Sequence, residues 1–251
     1  MEIDYPTPTL EPQLQRLWQL AFGDEESFIR DFFSQVYRPE RCRCVLVDGQ
    51  AAAALYWFDG ECRGRRLAYL YAVATHPNFR RQGLCRALMA DTHSLLTKLG
   101  YDGTLLLPAE AWLRPMYQKM GYRNCCTVSQ FSCTAGTPIP IQAVEPREYA
   151  HLRRKYLPEG GVIQEGNNLN LLALMADTYA GMDFVLAAAP EEGQLNCLEL
   201  LGNRAAAPGI LAALGYDIGT FRTPGNDVPF AMFRPLREAV PAPTYFGLSF
   251  D

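Results

Sequence analysis

Two spacings of hydrophobic residues alternate along the chain, one of about 3.6 residues and one of two. Leu14, Leu17, Trp18 and Ala21 share one helical face, and Gly23 follows as a helix stop. Predicted strands then alternate with amphipathic helices. The predicted order in the first half is helix, helix, hairpin, strand, helix, strand, helix, strand, which is typical of an α/β layer arrangement on a mixed sheet.

Turn and cap residues delimit these elements. Asp48-Gly49 is the strongest hairpin signal in the sequence. The longest predicted helix in the first half follows residue 82, and Gly100 fits the left-handed position at its end. One apolar stripe is predicted along this helix, formed by Leu84, Leu88, Thr92, Leu95 and Leu99.

A segment rich in proline and small residues, 134–146, is the best linker candidate. We therefore predict two domains, residues 1–135 and residues 140–251. Elements of the second half echo those of the first, and residues 105–122 resemble residues 198–216 in pattern, which indicates a weak internal duplication. The sequence LGYD also occurs twice, so this alignment of the repeat is not unique.

Composition excludes several classes of protein. The net charge of −4 argues against a dedicated nucleic-acid-binding protein. No signal peptide is visible, and the longest apolar runs are too short for a membrane span, so we expect a cytoplasmic protein without a membrane partner. The eight cysteines form no CxxC pair, and there are only three histidines, so no metal site is predicted. We interpret most of the cysteines as small core residues in a reducing compartment.

Positive charge and a glycine are concentrated at one helix entrance, in the segment THPNFRRQGLC. Free backbone N–H groups and the positive end of the helix dipole favour a phosphate there, and Gly83 lets an anion approach the backbone. The chain has neither a GxxxxGK[ST] motif nor a GxGxxG motif after a strand, so a P-loop and a dinucleotide-binding fingerprint are excluded.

The segment 80–85 resembles the Arg/Gln-x-x-Gly-x-Gly/Ala signature of the GCN5-related N-acetyltransferase (GNAT) superfamily. Downstream, Tyr117, Gly121 and Tyr122 match the family's Tyr-x-x-x-Gly-Phe/Tyr motif. The resemblance spans roughly residues 10–133. It implies a GNAT fold, with a mixed, mostly antiparallel central sheet flanked by helices. The second half lacks both motifs, so a second, smaller and degenerate GNAT-like domain is expected, as in tandem GNAT proteins such as the enhanced-intracellular-survival type.

The resemblance implies acetyl-CoA as cosubstrate. In the family, the glycine turn holds the pyrophosphate, and the preceding strand pairs with the pantetheine arm and polarises the thioester carbonyl. Cys85 departs from the signature, since a thiol stands where the family has glycine or alanine; we interpret it as a small buried substitute, with a Cys85 acyl-enzyme as the alternative. The residues that correspond to the family's cofactor contacts are Val73, Ala74, Thr75, Arg80, Arg81, Gln82, Gly83, Leu84, Cys85 and Arg86.

The implied reaction is direct acetyl transfer to a primary amine. Tyr117 is the candidate acid for the leaving thiolate, and Glu110 is a candidate base that is equally well explained as a solvated carboxylate. His76 is favoured as a turn residue over a base. In the longer enzymes that the chain resembles, a terminal carboxylate lies in the active site, which makes Asp251 a further candidate.

The sequence does not identify the acceptor, which is expected to be a small-molecule or peptide amine. The acidic balance slightly favours a cationic acceptor. Two alternatives remain open: a non-catalytic CoA-binding regulatory protein, and a nucleotide-phosphate binder that uses the same turn. Nothing in the sequence fixes the oligomeric state.

Overall fold

The computed structural model describes residues 1–250 as two compact units, each with its own seven-stranded sheet. This confirms the predicted α/β class. The first unit comprises Met1–Gly60, Gly64–Arg123 and Phe233–Pro241, and the second comprises Glu61–Arg63, Asn124–Met232 and the chain from Ala242 onward. No helix within residues 1–250 is long and apolar enough to cross a membrane.

The first half follows the predicted order of elements, with one additional strand near the N-terminus. Gly23 and Gly100 both have left-handed backbone conformations, φ 78° and 85°, as predicted for residues that end helices. The elements are β1 (Glu2–Asp4), α1 (Glu11–Phe22), α2 (Glu26–Asp31), β2 (Cys42–Val47), β3 (Gln50–Cys62), β4 (Arg65–Thr75), α3 (Leu84–Lys98), β5 (Gly103–Leu106), α4 (Arg114–Gln118) and β6 (Arg123–Asn124).

The second half contains four strands that the sequence pattern did not predict. One lies in the predicted linker, one lies in residues 168–181, where the pattern predicts a helix, and two follow the last helix. The elements are β7 (Thr127–Thr134), β8 (Gln142–Ala143), α5 (Pro146–Tyr156), α6 (Asn167–Met175), β9 (Asp177–Ala180), β10 (Phe184–Glu191), β11 (Gln194–Gly202), α7 (Ala207–Leu214), β12 (Ile218–Pro224), β13 (Val228–Pro229) and β14 (Met232–Pro235).

The two sheets have matching strand orders. The first runs β1-β2-β3-β4-β5-β14-β6, and the second, read from its other edge, runs β8-β9-β10-β11-β12-β7-β13. Each has a parallel pair at its fourth and fifth positions, β4 with β5 and β11 with β12. The sixth position is filled in each sheet by a strand from the other predicted domain: β14, within residues 140–251, joins the first sheet, and β7, within residues 1–135, joins the second. Strands β7 and β14 are thus exchanged between the two predicted domains.

This exchange places the division between the units away from the predicted linker. β7 precedes residue 135 but belongs to the second sheet, while β14 lies near the C-terminus and belongs to the first. Gly103 on β5 accommodates the exchanged strand, because a Cβ there would collide with the ring of Phe233. The backbone N–H of Leu236 also donates to the carbonyl of Asp102 at 2.9 Å. The two units are therefore not contiguous segments such as 1–135 and 140–251.

The buried face of α3 differs from the predicted stripe. Leu84, Leu88 and Thr92 are buried as predicted, but Leu99 is 43% exposed and Leu96 is fully buried. The helix ends at Lys98, so Leu99 no longer follows the helical period. The buried face instead continues from Leu88 through Thr92 to Leu96, at spacings of four residues.

Five of the eight cysteines are buried, in accordance with their interpretation as small core residues. They are Cys42, Cys44, Cys62, Cys126 and Cys197.

Candidate functional site

Strand β4 continues beyond the end of its ladder with β5. The parallel ladder between them pairs Leu67–Tyr69 with Gly103–Leu105, and β5 ends at Leu106. Further along β4, Ala72 adopts φ 48°, which is uncommon for a residue with a Cβ. Further on, the N–H of His76 donates to the carbonyl of Ala52 at 2.9 Å, so the end of β4 stays attached to β3. The ladder with β5 thus ends before residues 73–75.

The entrance to α3 exposes unpaired backbone donors. Gly83 is the N-cap residue with φ 80°, and no side chain caps the helix. The first helical hydrogen bond runs from the N–H of Ala87 to the carbonyl of Gly83 at 3.1 Å. The three N–H groups of residues 84–86 have no hydrogen-bond partner within residues 1–250, and the first turn contains no acidic residue. Such an end of a 15-residue helix attracts an anion.

Three arginines surround this helix end without a carboxylate partner. Arg80 donates from Nε to the carbonyl of Thr75 at 3.2 Å, and Gln82 donates to the carbonyl of Asn78 at 3.3 Å. None of Arg80, Arg81 and Arg86 forms an ion pair with any described residue. Their charges therefore remain available to an anionic ligand.

The turn before these arginines is capped by His76. Its Nδ1 accepts a hydrogen bond from the N–H of Asn78 at 3.2 Å, and its ring lies edge-on to Phe79 with centroids 5.6 Å apart. This is the turn role that the sequence favoured over a base. A cleft of about 220 Å³ lies beside the turn, lined by Pro12, Gln13, Arg16, Leu17, Gln50, Ala51 and His76.

Cys85 is half-buried in the first turn of α3. Burial raises the pKa of its thiol, which keeps the sulfur protonated and a poor nucleophile. The environment of Cys85 therefore favours the small buried substitute over the acyl-enzyme.

Tyr117 lies on α4 and is only 6% exposed. Its carbonyl accepts a hydrogen bond from the N–H of Tyr122 at 3.1 Å. The two tyrosine rings pack edge to face, with centroids 5.9 Å apart and an interplanar angle of 71°. Gly121 makes this reversal possible, because its φ of 89° is unfavourable for a residue with a Cβ.

The hydroxyl of Tyr122 is enclosed by two partners that the sequence pattern did not reveal. It lies 2.8 Å from Nε2 of His93 on α3 and 2.8 Å from Oγ1 of Thr104 on β5. Burial lowers the pKa of His93 to about 3 and raises that of Tyr122 well above its usual range, so both stay neutral. Nothing in the spacing of these residues predicts a polar triad inside the core.

Tyr122 joins the second family motif to α3, the helix that follows the first motif. Its ring packs against Tyr117, and its hydroxyl lies 2.8 Å from Nε2 of His93. Glu110 lies between β5 and α4. Its side chain is exposed and forms no hydrogen bond or ion pair with the rest of residues 1–250. Asp251 lies outside the described residues.

The second unit has a helix in the position equivalent to α3. In the sheet order, α7 connects the parallel strands β11 and β12 as α3 connects β4 and β5. The segments 99–102 and 214–217, both with the sequence LGYD, follow these two helices, and Gly100 and Gly215 are both left-handed. The topology therefore matches α7 with α3, whereas the predicted pattern match of residues 105–122 with residues 198–216 pairs α7 with α4.

The entrance to α7 lacks the features that make α3 an anion site. The side chain of Asn203 accepts from the N–H of Ala205 at 3.0 Å, which caps the chain just before the helix. Pro208 occupies the first turn and has no N–H. Arg204 lies over the ring of Phe131, with 4.1 Å between its Cζ and the ring centroid. The entrance to α7 therefore does not offer an anion the donors that the entrance to α3 offers.

Residues 2–125 match the family model described as acetyltransferase (GNAT) domain. No curated protein matches the chain. Among solved structures, a GCN5-related N-acetyltransferase from Kribbella flavida is 18% identical with a TM-score of 0.70, over 94% of this chain and 72% of its own. Eis1 from Mycobacterium abscessus is 13% identical with a TM-score of 0.71, over 94% and 74%. A GCN5-related N-acetyltransferase from Sphaerobacter thermophilus is 13% identical with a TM-score of 0.55, over 98% of both chains.

Proposed function

Because the chain belongs to the GNAT superfamily of acyltransferases, we propose that it transfers an acetyl group from acetyl-CoA to a primary amine by direct attack in a ternary complex. The observation that carries this proposal is the uncapped entrance of α3. Three free N–H groups, a left-handed glycine and three unpaired arginines converge there. This donor set suits the pyrophosphate of CoA.

The strand before the turn is proposed to hold the thioester end of the cosubstrate. Its ladder with β5 stops at Tyr69, and Ala72, just before Val73, has a positive φ. We assign Val73, Ala74 and Thr75 to contacts with the pantetheine arm. An N–H near Val73 or Thr75 would polarise the thioester carbonyl, which stabilises the oxyanion that forms during attack. The exposed Arg80 side chain contacts the Thr75 carbonyl and can move without disturbing the sheet.

Tyr117 is proposed as the general acid for the leaving thiolate. It is the tyrosine of the family motif, and its ring packs against Tyr122, whose hydroxyl contacts His93 on α3. A tyrosine hydroxyl is protonated at neutral pH and can give its proton to a thiolate. The edge-to-face contact with Tyr122 fixes the ring of Tyr117, so little reorganisation is needed during the reaction.

The attacking amine must arrive without a proton. Glu110 is our candidate for accepting that proton, directly or through water, since it follows β5 at the end of the strand. We propose that the second unit is a degenerate GNAT-like domain without a second active site, because Asn203 caps the turn that leads into α7 and Arg204 lies over the ring of Phe131.

Amine-dependent release of free CoA tests the proposed function. Purified protein would be incubated with acetyl-CoA and with a panel comprising a polyamine, an aminoglycoside, an amino acid and a lysine peptide. The proposal predicts CoA release that depends on one acceptor class, together with acetylated acceptor detected by mass spectrometry. If acetyl-CoA binds but no acceptor raises CoA release above the rate without acceptor, the protein is instead a CoA-binding regulatory protein.

A further inference from the structure

Two adjacent cysteines hold their sulfur atoms side by side in the second unit. The thiol of Cys126 donates to Sγ of Cys125 across 3.4 Å. Backbone hydrogen bonds fix the dipeptide: the N–H of Cys125 donates to the carbonyl of Ala231, and the N–H of Phe230 donates to the carbonyl of Cys126, both at 3.0 Å. Cys126 has φ 56°, so the surroundings impose a backbone conformation that cysteine rarely adopts.

The two thiols differ in access and in environment. Cys125 is half-buried, whereas Cys126 is buried and also lies 3.5 Å from the carbonyl of Pro243. The hydrogen bond to Cys125 and burial both raise the pKa of Cys126 well above its usual range. Cys125 is therefore the first point of attack for a reagent from solvent, and Cys126 is the second sulfur within reach.

A direct disulfide between these residues would be strained. The Cα atoms of neighbouring residues are about 3.8 Å apart, while disulfides usually join Cα atoms at least about 4.4 Å apart. A single bridging atom has no such difficulty. Bonds of about 2.3 Å to each sulfur, with an angle of about 90–110°, place the sulfurs about 3.3–3.8 Å apart. The observed 3.4 Å lies in this range, so a bridge would need no change in the backbone.

The pair lacks the further ligands that a structural metal site requires. Among residues 1–250, no three histidine, cysteine or acidic side chains are arranged to hold a metal ion. The nearby thiol of Cys62 donates instead to the carbonyl of Gly160 at 3.3 Å. Two sulfurs are too few for tetrahedral zinc, but they satisfy a thiophilic centre that forms two bonds to sulfur and one to carbon.

We propose that Cys125 and Cys126 form a chelating dithiol site for trivalent arsenicals. In the reaction with an arsine oxide, two arsenic–sulfur bonds form and the arsenic–oxygen bond breaks. The oxygen leaves as water with the two thiol protons, and no atom changes oxidation state. The site is independent of the proposed acyl transfer, because none of its residues belongs to the proposed acetyl-CoA site.

Phenylarsine oxide tests this site by intact-protein mass spectrometry under native conditions. The folded protein would be incubated with the reagent in an excess of glutathione. Glutathione competes well with single protein thiols for the arsenical, but poorly with a chelating pair of thiols. We expect one phenylarsenic group per chain, removed by 2,3-dimercaptopropanol. Replacing either cysteine should weaken binding by about 10²-fold or more, because the second attachment is then no longer intramolecular.

Cys125→Ala is the deciding variant, because the half-buried side chain can be shortened with less effect on folding than that of Cys126. Cys62→Ala is the matched control, and near-ultraviolet circular dichroism would establish that both variants are folded. The proposal expects loss of the adduct in Cys125→Ala and retention in Cys62→Ala. An unmodified wild type, an adduct that persists in Cys125→Ala, or an adduct lost in Cys62→Ala would each overturn it.

Discussion

The rings of Tyr117 and Tyr122 pack edge to face with centroids 5.9 Å apart. The Tyr122 hydroxyl is held between His93 and Thr104 at 2.8 Å from each. Tyr117 lies on the short helix that the family motif predicts and is the proposed acid. On the proposed mechanism, the same motif supplies one tyrosine for the packing of the core and one for chemistry.

Tyr117→Phe and Tyr122→Phe form a matched pair that separates these roles. We expect Tyr117→Phe to lower kcat by about 10²–10⁴-fold, with the Kd for acetyl-CoA unchanged, since only proton transfer to the thiolate is lost. Tyr122→Phe should lower the free energy of unfolding by about 1–3 kcal/mol, because His93 and Thr104 lose a buried partner. Steady-state kinetics, calorimetry and thermal unfolding distinguish the two variants. Full turnover in Tyr117→Phe would remove it as the acid.

His93 should make stability depend on mildly acidic pH. Its pKa falls from 6.5 to about 3 on burial, so between these values the unfolded chain binds a proton that the folded chain does not. The contribution of His93 to stability is therefore fully present above about pH 6.5. Below that pH, acidification lowers the free energy of unfolding by up to about 1.4 kcal/mol per pH unit. His93→Gln removes the titration but keeps a polar group near Tyr122. Urea unfolding from pH 7 to pH 5 should give a flatter profile for the variant, and identical slopes would contradict this account.

Arg153 and Glu199 provide a buried ion pair in the second unit. The Glu199 carboxylate is fully buried and accepts hydrogen bonds from Arg153, Tyr149 and Tyr245, the closest at 2.6 Å. Glu199→Gln should lower the free energy of unfolding by about 3–5 kcal/mol, because it leaves a buried guanidinium without its counter-charge. Glu165→Gln is a matched control, since it breaks the more exposed pair with Arg154 and should cost less than about 1 kcal/mol. Equal losses measured by urea unfolding would be inconsistent with this difference.

The pH dependence of the Glu199 pair has a defined sign. Its ion pair and hydrogen bonds lower the pKa of Glu199 below the ordinary 4.5, despite the opposing effect of burial. Its stabilising contribution is therefore complete above about pH 4.5 and is lost as the pH falls through the lowered value in the folded protein. Glu199→Gln should lose this part of the acid sensitivity.

The exchanged strands predict that the two halves do not fold alone. A fragment of residues 1–135 lacks β14 and carries β7 without its sheet, so β5 would present an unpaired edge. We expect no cooperative thermal transition for this fragment and a gain of cooperative folding when it is co-expressed with residues 136–251. Cooperative unfolding of 1–135 by itself would show that β14 is dispensable.

The sequence predicts the parts of the site that depend on local chemistry. Gly100 and Gly23 end helices as expected, and the Asp48-Gly49 turn joins β2 and β3, because each depends on the backbone preferences of one or two residues. The glycine and arginines of the α3 entrance likewise lie next to one another in the sequence, so their convergence needs no long-range contact.

Features set by tertiary contacts were not predictable in this way. Nothing at Ala72 signals a left-handed backbone conformation, since alanine is common in regular strands and helices. The exchange of β7 and β14 depends on which sheet each strand joins, which the local spacing of apolar residues does not specify. The sequence alone also cannot align the internal repeat. A Gly-Tyr pair follows each of α3, α4 and α7, at Gly100, Gly121 and Gly215. Only the order of strands in the sheets decides which helices correspond.

Calorimetric titration with acetyl-CoA tests the central claim most directly, using the wild type, Gly83→Gln and Gly83→Glu. A Cβ at Gly83 meets no atom within 4 Å, so both variants carry the same backbone cost at φ 80° and differ essentially in charge. We predict micromolar binding to the wild type, weaker binding to Gly83→Gln, and at least about tenfold weaker binding still to Gly83→Glu, because a carboxylate repels the pyrophosphate. No binding to the wild type, or equal affinities for the Gln and Glu variants, would contradict a CoA site at the entrance of α3.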